Sequence, residues 1–367
     1  MSDTAVPRTA RPTALARYDR RGKALSGRAS LLALLIAIGL LAATLASIMY
    51  GALTLSLADI LGALTARITG TETTGQAALA EAVVWDLRLA RIVMAVIVGA
   101  SLATCGAAMQ GLFGNPLADP GIVGVSSGAS LGAIAVVVLN ISVLGPWTLP
   151  AGAFLAGIAT TLIIYALASP GQSGGDNARL LLVGIAVNAI GGSIAGFLTY
   201  LATMEQLQSL TFWSMGSLSV AKWSTVALTL PPAVVGIALL VWWSRPLDLL
   251  ALGERQARHL GVDVKLLRRK LIVVTALLVA AAVSFAGTIG FVGLVVPHLF
   301  RLMIGPGHRL LVPFSAAGGG FLVILADLAA RTLDPPSEVP IGILMGALGG
   351  PFFLWMIYRG RNRASAV

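Results

Sequence analysis

Apolar residues run through most of this chain in uninterrupted stretches that do not alternate with polar ones. Such stretches, about twenty residues long, have the length of an α-helix that crosses a membrane, whereas barrel strands are shorter and alternate in polarity. The pattern predicts an all-α polytopic membrane protein with about ten transmembrane helices. The predicted spans cover residues 31–50, two stretches within 88–132, and then about 149–167, 179–201, 225–243, 271–285, one stretch within 286–305 after a glycine-rich turn, 310–330 and 340–358.

The contrast between a polar N-terminal segment and the apolar remainder predicts the domain organisation. Residues 1–29 are polar, basic and contain proline, so we predict a disordered cytoplasmic tail there and one transmembrane domain over residues 30–367. A secretory signal is the competing interpretation, but the run 31–50 is long for a signal core and has no convincing cleavage site. Residues 203–223 are too polar to span and too apolar for an ordinary loop, which indicates a short helix at the mouth of a cavity.

One stretch, residues 88–132, predicts a helix, a rigid turn and a second helix that allows close packing. Pro116 and Pro120 cannot continue the first helix. Asp119 stands where an N-cap belongs and Pro120 where the first helical residue belongs, so a new helix begins there. Small residues then recur every three or four positions, the spacing that lets helix backbones approach in a membrane.

Composition and charge agree with a membrane protein. Hydrophobic residues make up 57% of the chain, charged residues 11%, and the mean hydropathy is +0.90. The formal charge is +10, yet the basic residues cluster at the N-terminus, within 245–270 and near the C-terminus. With an even number of spans, all three clusters fall on the cytoplasmic side, so both termini are predicted to be cytoplasmic and nucleic-acid binding is not indicated. The single cysteine, Cys105, lies in an apolar run and permits no internal disulfide.

A faint internal repeat accompanies the spans. An offset of 181 residues places Arg88 on Arg269 and Pro116 on Pro297. Because the first copy would begin outside and the second inside, the two halves would be inverted, as in many transporters. Chance alignment in a chain this rich in glycine and alanine is the alternative.

Five segments, taken in order, resemble the FecCD-type (type II) ABC importer permeases, which serve haem, ferric siderophores and vitamin B12. They are MQGLFGNPLADPGIVGVSSGASLGA, LTFWSMGSL, LALGERQARHLGV, GTIGFVGLVVPHLFR and EVPIGILMGALGGPFF. The resemblance implies a homodimer of ten-helix subunits in the bacterial inner membrane, surrounded by lipid. It also implies two ATPase subunits inside, a periplasmic binding protein outside and no bound cofactor. The chain has no GxxxxGK[ST] loop, so the resemblance implies a transport subunit and not an enzyme.

The resemblance assigns ATPase coupling to the loop 245–270, where a short amphipathic helix ended by glycine can present a face to a partner. The alternative is a solvated cytoplasmic loop held by its positive charge. The residues assigned to coupling are Leu252, Gly253, Glu254, Arg255, Ala257, Arg258, Leu260 and Gly261.

Three arginines, Arg88, Arg91 and Arg331, match positions that pair with carboxylates of the binding protein in this family. Arginine forks suit carboxylates and are less costly to desolvate than lysine. The alternative for Arg88 and Arg91 is snorkelling at the membrane interface, and for Arg331 it is an i,i+4 pair with Asp327 on one helix face.

The resemblance also assigns a cytoplasmic gate and a pathway mouth. Asn115 and Leu117 match a gate beside the proline turn, and Asn177 matches a polar position in a second gate loop; a tight connector is the alternative for the first. The pathway mouth comprises Tyr200, Met204, Phe212, Trp213 and Met215, for which interfacial anchoring is the alternative. No histidine, cysteine or acidic cluster has metal-ligand spacing.

The segment TYLATMEQLQSLTFWSMGSL resembles the haem-importing branch, so haem is the predicted substrate. A ferric siderophore is the alternative, followed by vitamin B12. A function of another class, an ion-coupled secondary transporter, usually requires acids in mid-membrane. Only Asp327 is predicted near the middle of a span, where Arg331 can neutralise it.

Overall fold

The chain folds almost entirely into helices. The computed structural model describes residues 14–51, 53–168 and 176–364, and the side chains of 27–51, 53–168, 178–356 and Tyr358. No strand occurs within these residues. The helices are α1 (Ala14–Met49), α2 (Leu57–Thr69), α3 (Gln76–Ala82), α4 (Ala90–Phe113), α5 (Val125–Val138), α6 (Thr148–Leu167), α7 (Asp176–Tyr200), α8 (Met204–Met215), α9 (Trp223–Trp242), α10 (Ser244–Leu250), α11 (Glu254–His259), α12 (Val264–Ala286), α13 (Val292–Ile304), α14 (His308–Thr332) and α15 (Ile341–Ala364).

Among the described residues, seven helices are long and apolar enough to cross a membrane. They include most of α1, then α3 to α4 as one continuous helix, and α6, α7, α9, α12 and α14. Three shorter apolar helices, Val125–Val138, Val292–Ile304 and Ile341–Met356, occupy the places of the remaining predicted spans. The prediction of an all-α polytopic protein is confirmed.

Helix α4 forms the centre of the bundle, and nearly all of its residues are buried. It packs against α14, α13, α12 and α9. Glycine makes the closest of these contacts possible: a Cβ at Gly99 would overlap the backbone of Gly319, and one at Gly106 would overlap Gly293. Backbone contact of this kind gives dispersion attraction between helices where lipid offers no hydrophobic driving force.

The expected turn after α4 is present. Gly114 ends α4 with a positive φ of 60°, and Asp119 caps a short 3₁₀ helix, Pro120–Val123, by accepting the Gly121 N–H at 2.7 Å. The N-cap and first-residue assignments of Asp119 and Pro120 are confirmed. Burial raises the pKa of the Asp119 carboxyl above its ordinary value, and the Gly121 hydrogen bond opposes that shift.

The two halves repeat a pattern of helix lengths but not the predicted offset. Helices α4 to α7 and α12 to α15 both run long, short, long, long. The offset of 181 residues nevertheless pairs Pro116, in a turn, with Pro297, inside α13. The predicted offset of 181 residues is therefore wrong. The two halves repeat the order of long and short helices, but prolines that match at this offset do not occupy matching positions in the fold.

Two predicted boundaries also differ. The helix α1 begins at Ala14, inside the segment predicted to be a disordered tail, and residues 1–13 lie outside the described residues. The second span begins as early as Gln76, since a seven-residue π-helical turn, Val83–Leu89, joins α3 to α4 without a break. No proline interrupts either segment, so the helices continue past the apolar stretch.

Candidate functional site

The predicted functional residues lie at two opposite ends of the bundle. The arginines lie where α4 begins and α14 ends, while the coupling loop and the proline turn lie near the end of α4 and the start of α14. The loop 245–270 folds into α10, α11 and the first residues of α12. Contacts of α10 with both α4 and α14 fix this segment against the core.

At the first end, one buried carboxylate holds two arginines. Asp327 on α14 accepts hydrogen bonds from Arg91 Nε at 2.7 Å and from Arg331 Nε at 3.1 Å. Arg91 also forms a two-pronged pair with Glu338, at 2.8 Å on both oxygens. A bidentate pair of this kind is strong and directional. The i,i+4 pair of Arg331 with Asp327, the alternative interpretation, is present.

The same arginines close the C-terminal end of α1. Arg88 donates to the carbonyl oxygens of Ile48 and Leu53. Arg331 donates to Ser47 Oγ at 2.6 Å and reaches the Tyr50 carbonyl at 3.4 Å. The last carbonyls of a helix lack partners within it, so arginine side chains are suitable donors. Arg88 is therefore buried and paired, and the snorkelling alternative does not describe it.

The structure thus brings the three predicted docking arginines together and engages each of them within the chain. All three are buried, whereas Glu338 keeps about a third of its side chain exposed. Three cations and two carboxylates leave the cluster with a net positive charge.

At the opposite end, α11 presents the predicted coupling residues on a small exposed face. Leu252, Arg255, Arg258 and Leu260 are exposed, and Ala257 is buried beneath them. Gly253 and Gly261 flank the helix with φ of 112° and 86°, where glycine avoids strain. Glu254 accepts from Arg258 at 3.2 Å and from Arg268 of α12, which fixes the helix to the bundle.

The predicted gate residues occupy the turn that follows α4. Asn115 is exposed, and its Oδ1 accepts the Leu117 N–H at 2.9 Å, so the side chain shapes the turn that presents Leu117. The backbone N–H of Asn115 donates to the Gln110 carbonyl at 3.2 Å. Asn177 lies in α7, but its side chain is outside the described residues.

The predicted mouth separates into exposed and enclosed residues. Tyr200 and Met204 are each 83% exposed, and Phe212 is also exposed. Met215 is 36% exposed, and Trp213 is half-buried. Helix α8 is fixed to α5 by Gln206, whose Nε2 donates to the Val137 carbonyl at 3.0 Å.

Trp213 also lines a cavity of about 620 Å³ with Trp147, Lys222 and Phe285. The rings of Trp147 and Phe285 meet edge to face, with their centroids 6.1 Å apart. The cavity lies between the ends of α6, α8, α9 and α12 and is mainly apolar. The described residues contain no group of histidine, cysteine or acidic side chains placed to hold a metal ion.

Sequence reasoning missed two polar pairs at the coupling end. His308, which precedes the predicted span 310–330, is the buried first residue of α14, and its Nδ1 lies 2.7 Å from Asp248 Oδ1. Arg301 donates to Gln110 Oε1 at 3.0 Å. These partners are 60 and 191 residues apart along the chain, and no local pattern connects them.

Comparison with known proteins agrees with this architecture. The model of the FecCD transport family matches residues 39–359. The chain is 46% identical over 290 residues to the hemin transport system permease protein HmuU of Yersinia pestis, covering 77% of this chain and 85% of that one. It is 43% identical to the cobalamin import system permease protein BtuC of Halobacterium salinarum, covering 78% and 76% of the two chains.

One solved structure has the same fold and is also related to this chain in sequence. It is described as a metal-chelate type ABC transporter in an inward-facing conformation, and it is 31% identical with a TM-score of 0.77. The match covers 92% of this chain and 99% of that one. ABC importer permeases work with ATPase and substrate-binding partners, and the partner ATPase hydrolyses ATP. The chain belongs to the FecCD transport family, as a multi-pass permease subunit of an ABC importer in the bacterial inner membrane.

Proposed function

We propose that the chain carries haem from the periplasm to the cytoplasm. The observation that supports haem best is the mouth: Tyr200, Met204 and Phe212 expose flat or flexible apolar surface around α8. Haem is a planar apolar ring with two carboxylates, and such surfaces accept it without a ligand cluster. The 46% identity to a hemin permease also supports haem.

Vitamin B12 is the second candidate, and the 43% identity to a cobalamin permease favours it. A ferric siderophore is the third, and the likeness to a metal-chelate type transporter supports it. The fold of the pathway is shared among these possibilities. The side chains at the mouth are where the substrates would be distinguished.

We further propose that two copies of the chain form the transporter. Helix α7 exposes Ile185, Ile190 and Phe197 along its length, and α15 exposes Leu348 and Leu354. Little of the α7 surface is buried within the subunit, and α15 contacts only α8, α13 and α14 to any extent among the described helices. These two apolar faces are available to a second copy, and the pathway would run between them with Asn115, Leu117 and Asn177 at its inner end.

Coupling to the ATPase is proposed for the exposed face of α11. The loop that contains it carries seven basic residues between Arg245 and Lys270, which supports a cytoplasmic location. The side chains of Arg255, Arg258 and Leu260 are exposed and accessible to a partner. The ion pair of Glu254 with Arg268 connects α11 to α12, so a displacement of α11 would also displace α12.

Docking of the binding protein is proposed at the opposite end, above Arg88, Arg91 and Arg331. The net positive charge of this cluster attracts carboxylates. Because Glu338 is its most exposed member, a partner carboxylate would exchange with Glu338 on Arg91. Arg88 and Arg331 would maintain the geometry of the site through their hydrogen bonds to α1.

The test is transport into liposomes that hold the permease, its ATPase and its binding protein. Hemin, cyanocobalamin and ferrichrome are supplied in parallel, with and without ATP. We expect ATP-dependent uptake of hemin that an ionophore does not abolish. Uptake of cyanocobalamin or ferrichrome alone would contradict haem as the substrate. Uptake driven by an ion gradient without ATP would contradict the ABC mechanism.

A pair of variants connects this test to the mouth. Phe212→Ala removes an exposed ring from α8, and it should lower hemin uptake several-fold while ATPase binding is unchanged. Leu155→Ala, on the exposed face of α6, is the matched control because it removes similar apolar area away from the mouth. If both variants lowered hemin uptake equally, the assignment of the mouth to the exposed residues around α8 would be wrong.

A further inference from the structure

His308 lies where three elements meet at the coupling end of the bundle. It is the first residue of α14, and its side chain is 2% exposed. One oxygen of Asp248, on α10, accepts both the backbone N–H and the ring Nδ1 of His308 at 2.7 Å. A carboxylate only accepts, so Nδ1 carries the proton. The pair joins the coupling segment to the start of α14.

The other edge of the same ring faces α4. A Cβ at Gly111 would collide with His308 Nε2, so only glycine allows the ring to lie against this turn of α4. Within the described residues, Nε2 has no hydrogen-bond partner. The imidazole is therefore enclosed between a carboxylate of α10 and the backbone of α4.

The last turn of α4 in turn fixes the predicted gate. The Gln110 carbonyl accepts the Asn115 N–H at 3.2 Å, and the Gly111 carbonyl accepts the Gly114 N–H at 3.4 Å. Arg301 of α13 holds the Gln110 side chain. Asn115 then sets the position of Leu117 through its side-chain oxygen.

We propose that the Asp248–His308 pair is the link through which the ATPase moves the gate turn, a positioning role that rests on the proposed function. When the ATPase displaces α10, the ring transmits the movement to the last turn of α4, because close-packed contacts transmit strain and do not compress. The turn at Asn115 and Leu117 then moves with α4. Neither Asp248 nor His308 needs to touch the substrate.

The experiment follows the gate directly in the assembled transporter. Leu117→Cys is labelled with a membrane-impermeant maleimide, with and without ATP and vanadate; the native Cys105 is buried and does not compete. We expect the labelling rate to change with nucleotide in the Leu117→Cys parent. Adding Asp248→Ala should reduce that change about tenfold, which lies within the range expected for a residue on a coupling route.

Three further variants make the outcome specific. Asp248→Asn should keep the parent response, because its amide oxygen still accepts both hydrogen bonds. Gly111→Ala should alter the response without changing either member of the pair. Asp263→Ala is the matched control, since Asp263 is an acid of the same loop that caps only its own helix through the Leu266 N–H at 2.9 Å.

Two measurements separate this inference from the proposed function. Co-purification of the ATPase and its ATP hydrolysis should be retained in Asp248→Ala, with transport per ATP reduced. A parent-like gate response in Asp248→Ala, or an equal loss in Asp263→Ala, overturns the inference alone. A parent chain that neither binds the ATPase nor responds to nucleotide overturns the proposed function as well.

Discussion

Asp327 is the residue on which the arginine end depends. Its two oxygens accept from Arg91 and Arg331, and it is almost completely buried. A buried charge is tolerated only when it is paired and hydrogen-bonded. Asp327 therefore fastens α4 to α14, and through Arg331 it reaches the end of α1. An acid in this position serves packing and leaves no free carboxylate for a coupling ion.

Asp327→Asn should destabilise the chain strongly, because the buried guanidinium groups of Arg91 and Arg331 then lose the charge of the carboxylate that they share. Removing one member of a buried pair costs about 3–5 kcal/mol. Thermal unfolding in detergent measures the effect. Asp59→Asn is the control, since Asp59 is an exposed capping residue whose acceptor role asparagine can fill. An unfolding temperature equal to that of the parent would contradict the role given to Asp327.

At this scale the sequence was informative only for neighbours. The Asp327–Arg331 pair was foreseen as an alternative because both residues lie on one face of one helix. The Arg91–Glu338 pair spans 247 residues, and nothing in either local stretch indicates it. For the same reason, the docking prediction did not anticipate the long-range partners that Arg88 and Arg91 have within the chain.

At the scale of elements, the glycines of α4 decide how the bundle packs. Gly99 lies against Gly319 and Gly106 against Gly293, so α4 meets α14 and α13 at backbone distance. The sequence predicted close approach in the segment after the proline turn, but it did not show which helix would be central. The span formed by α3 and α4 is not the most apolar of the seven, so hydropathy does not identify it as the central one, whereas the pairing of glycines in space does.

Gly106→Ala should disrupt the contact of α4 with α13, because the added methyl group overlaps the Gly293 backbone. Overpacking of this kind costs about 1–3 kcal/mol. Gly62→Ala, in exposed α2 with open space around it, should instead stabilise by about 1 kcal/mol or less. Unfolding of the two variants in detergent gives the comparison. If Gly106→Ala were as stable as the parent, α4 and α13 would be able to move apart without a cost in free energy of unfolding.

At the scale of the whole molecule, the two ends of the bundle carry different predicted sites. The coupling segment and the gate turn lie at one end, and the arginine cluster lies at the other. The positive-inside pattern assigns the first end to the cytoplasm. Under the proposed function, transport requires movement that begins at α10 and α11 and reaches the pathway.

Cysteine labelling in intact spheroplasts tests this orientation. Val143→Cys, in the loop after α5, and Leu260→Cys, after α11, replace side chains that are 84% and 57% exposed at opposite ends. An impermeant maleimide should label Val143→Cys in intact spheroplasts and Leu260→Cys only after permeabilisation. The reverse order would invert the topology and place the coupling segment outside.

The sequence by itself determined the membrane class, the approximate spans, the charge asymmetry and the short helix at 204–215. These properties depend on hydropathy and on breakers such as Pro116, which act over a few residues. The tertiary structure decided that α4 is central, that Arg91 meets Glu338, and that His308 lies between Asp248 and Gly111. Those contacts join distant segments through helix packing, and a one-dimensional pattern of apolar residues carries no record of which faces meet.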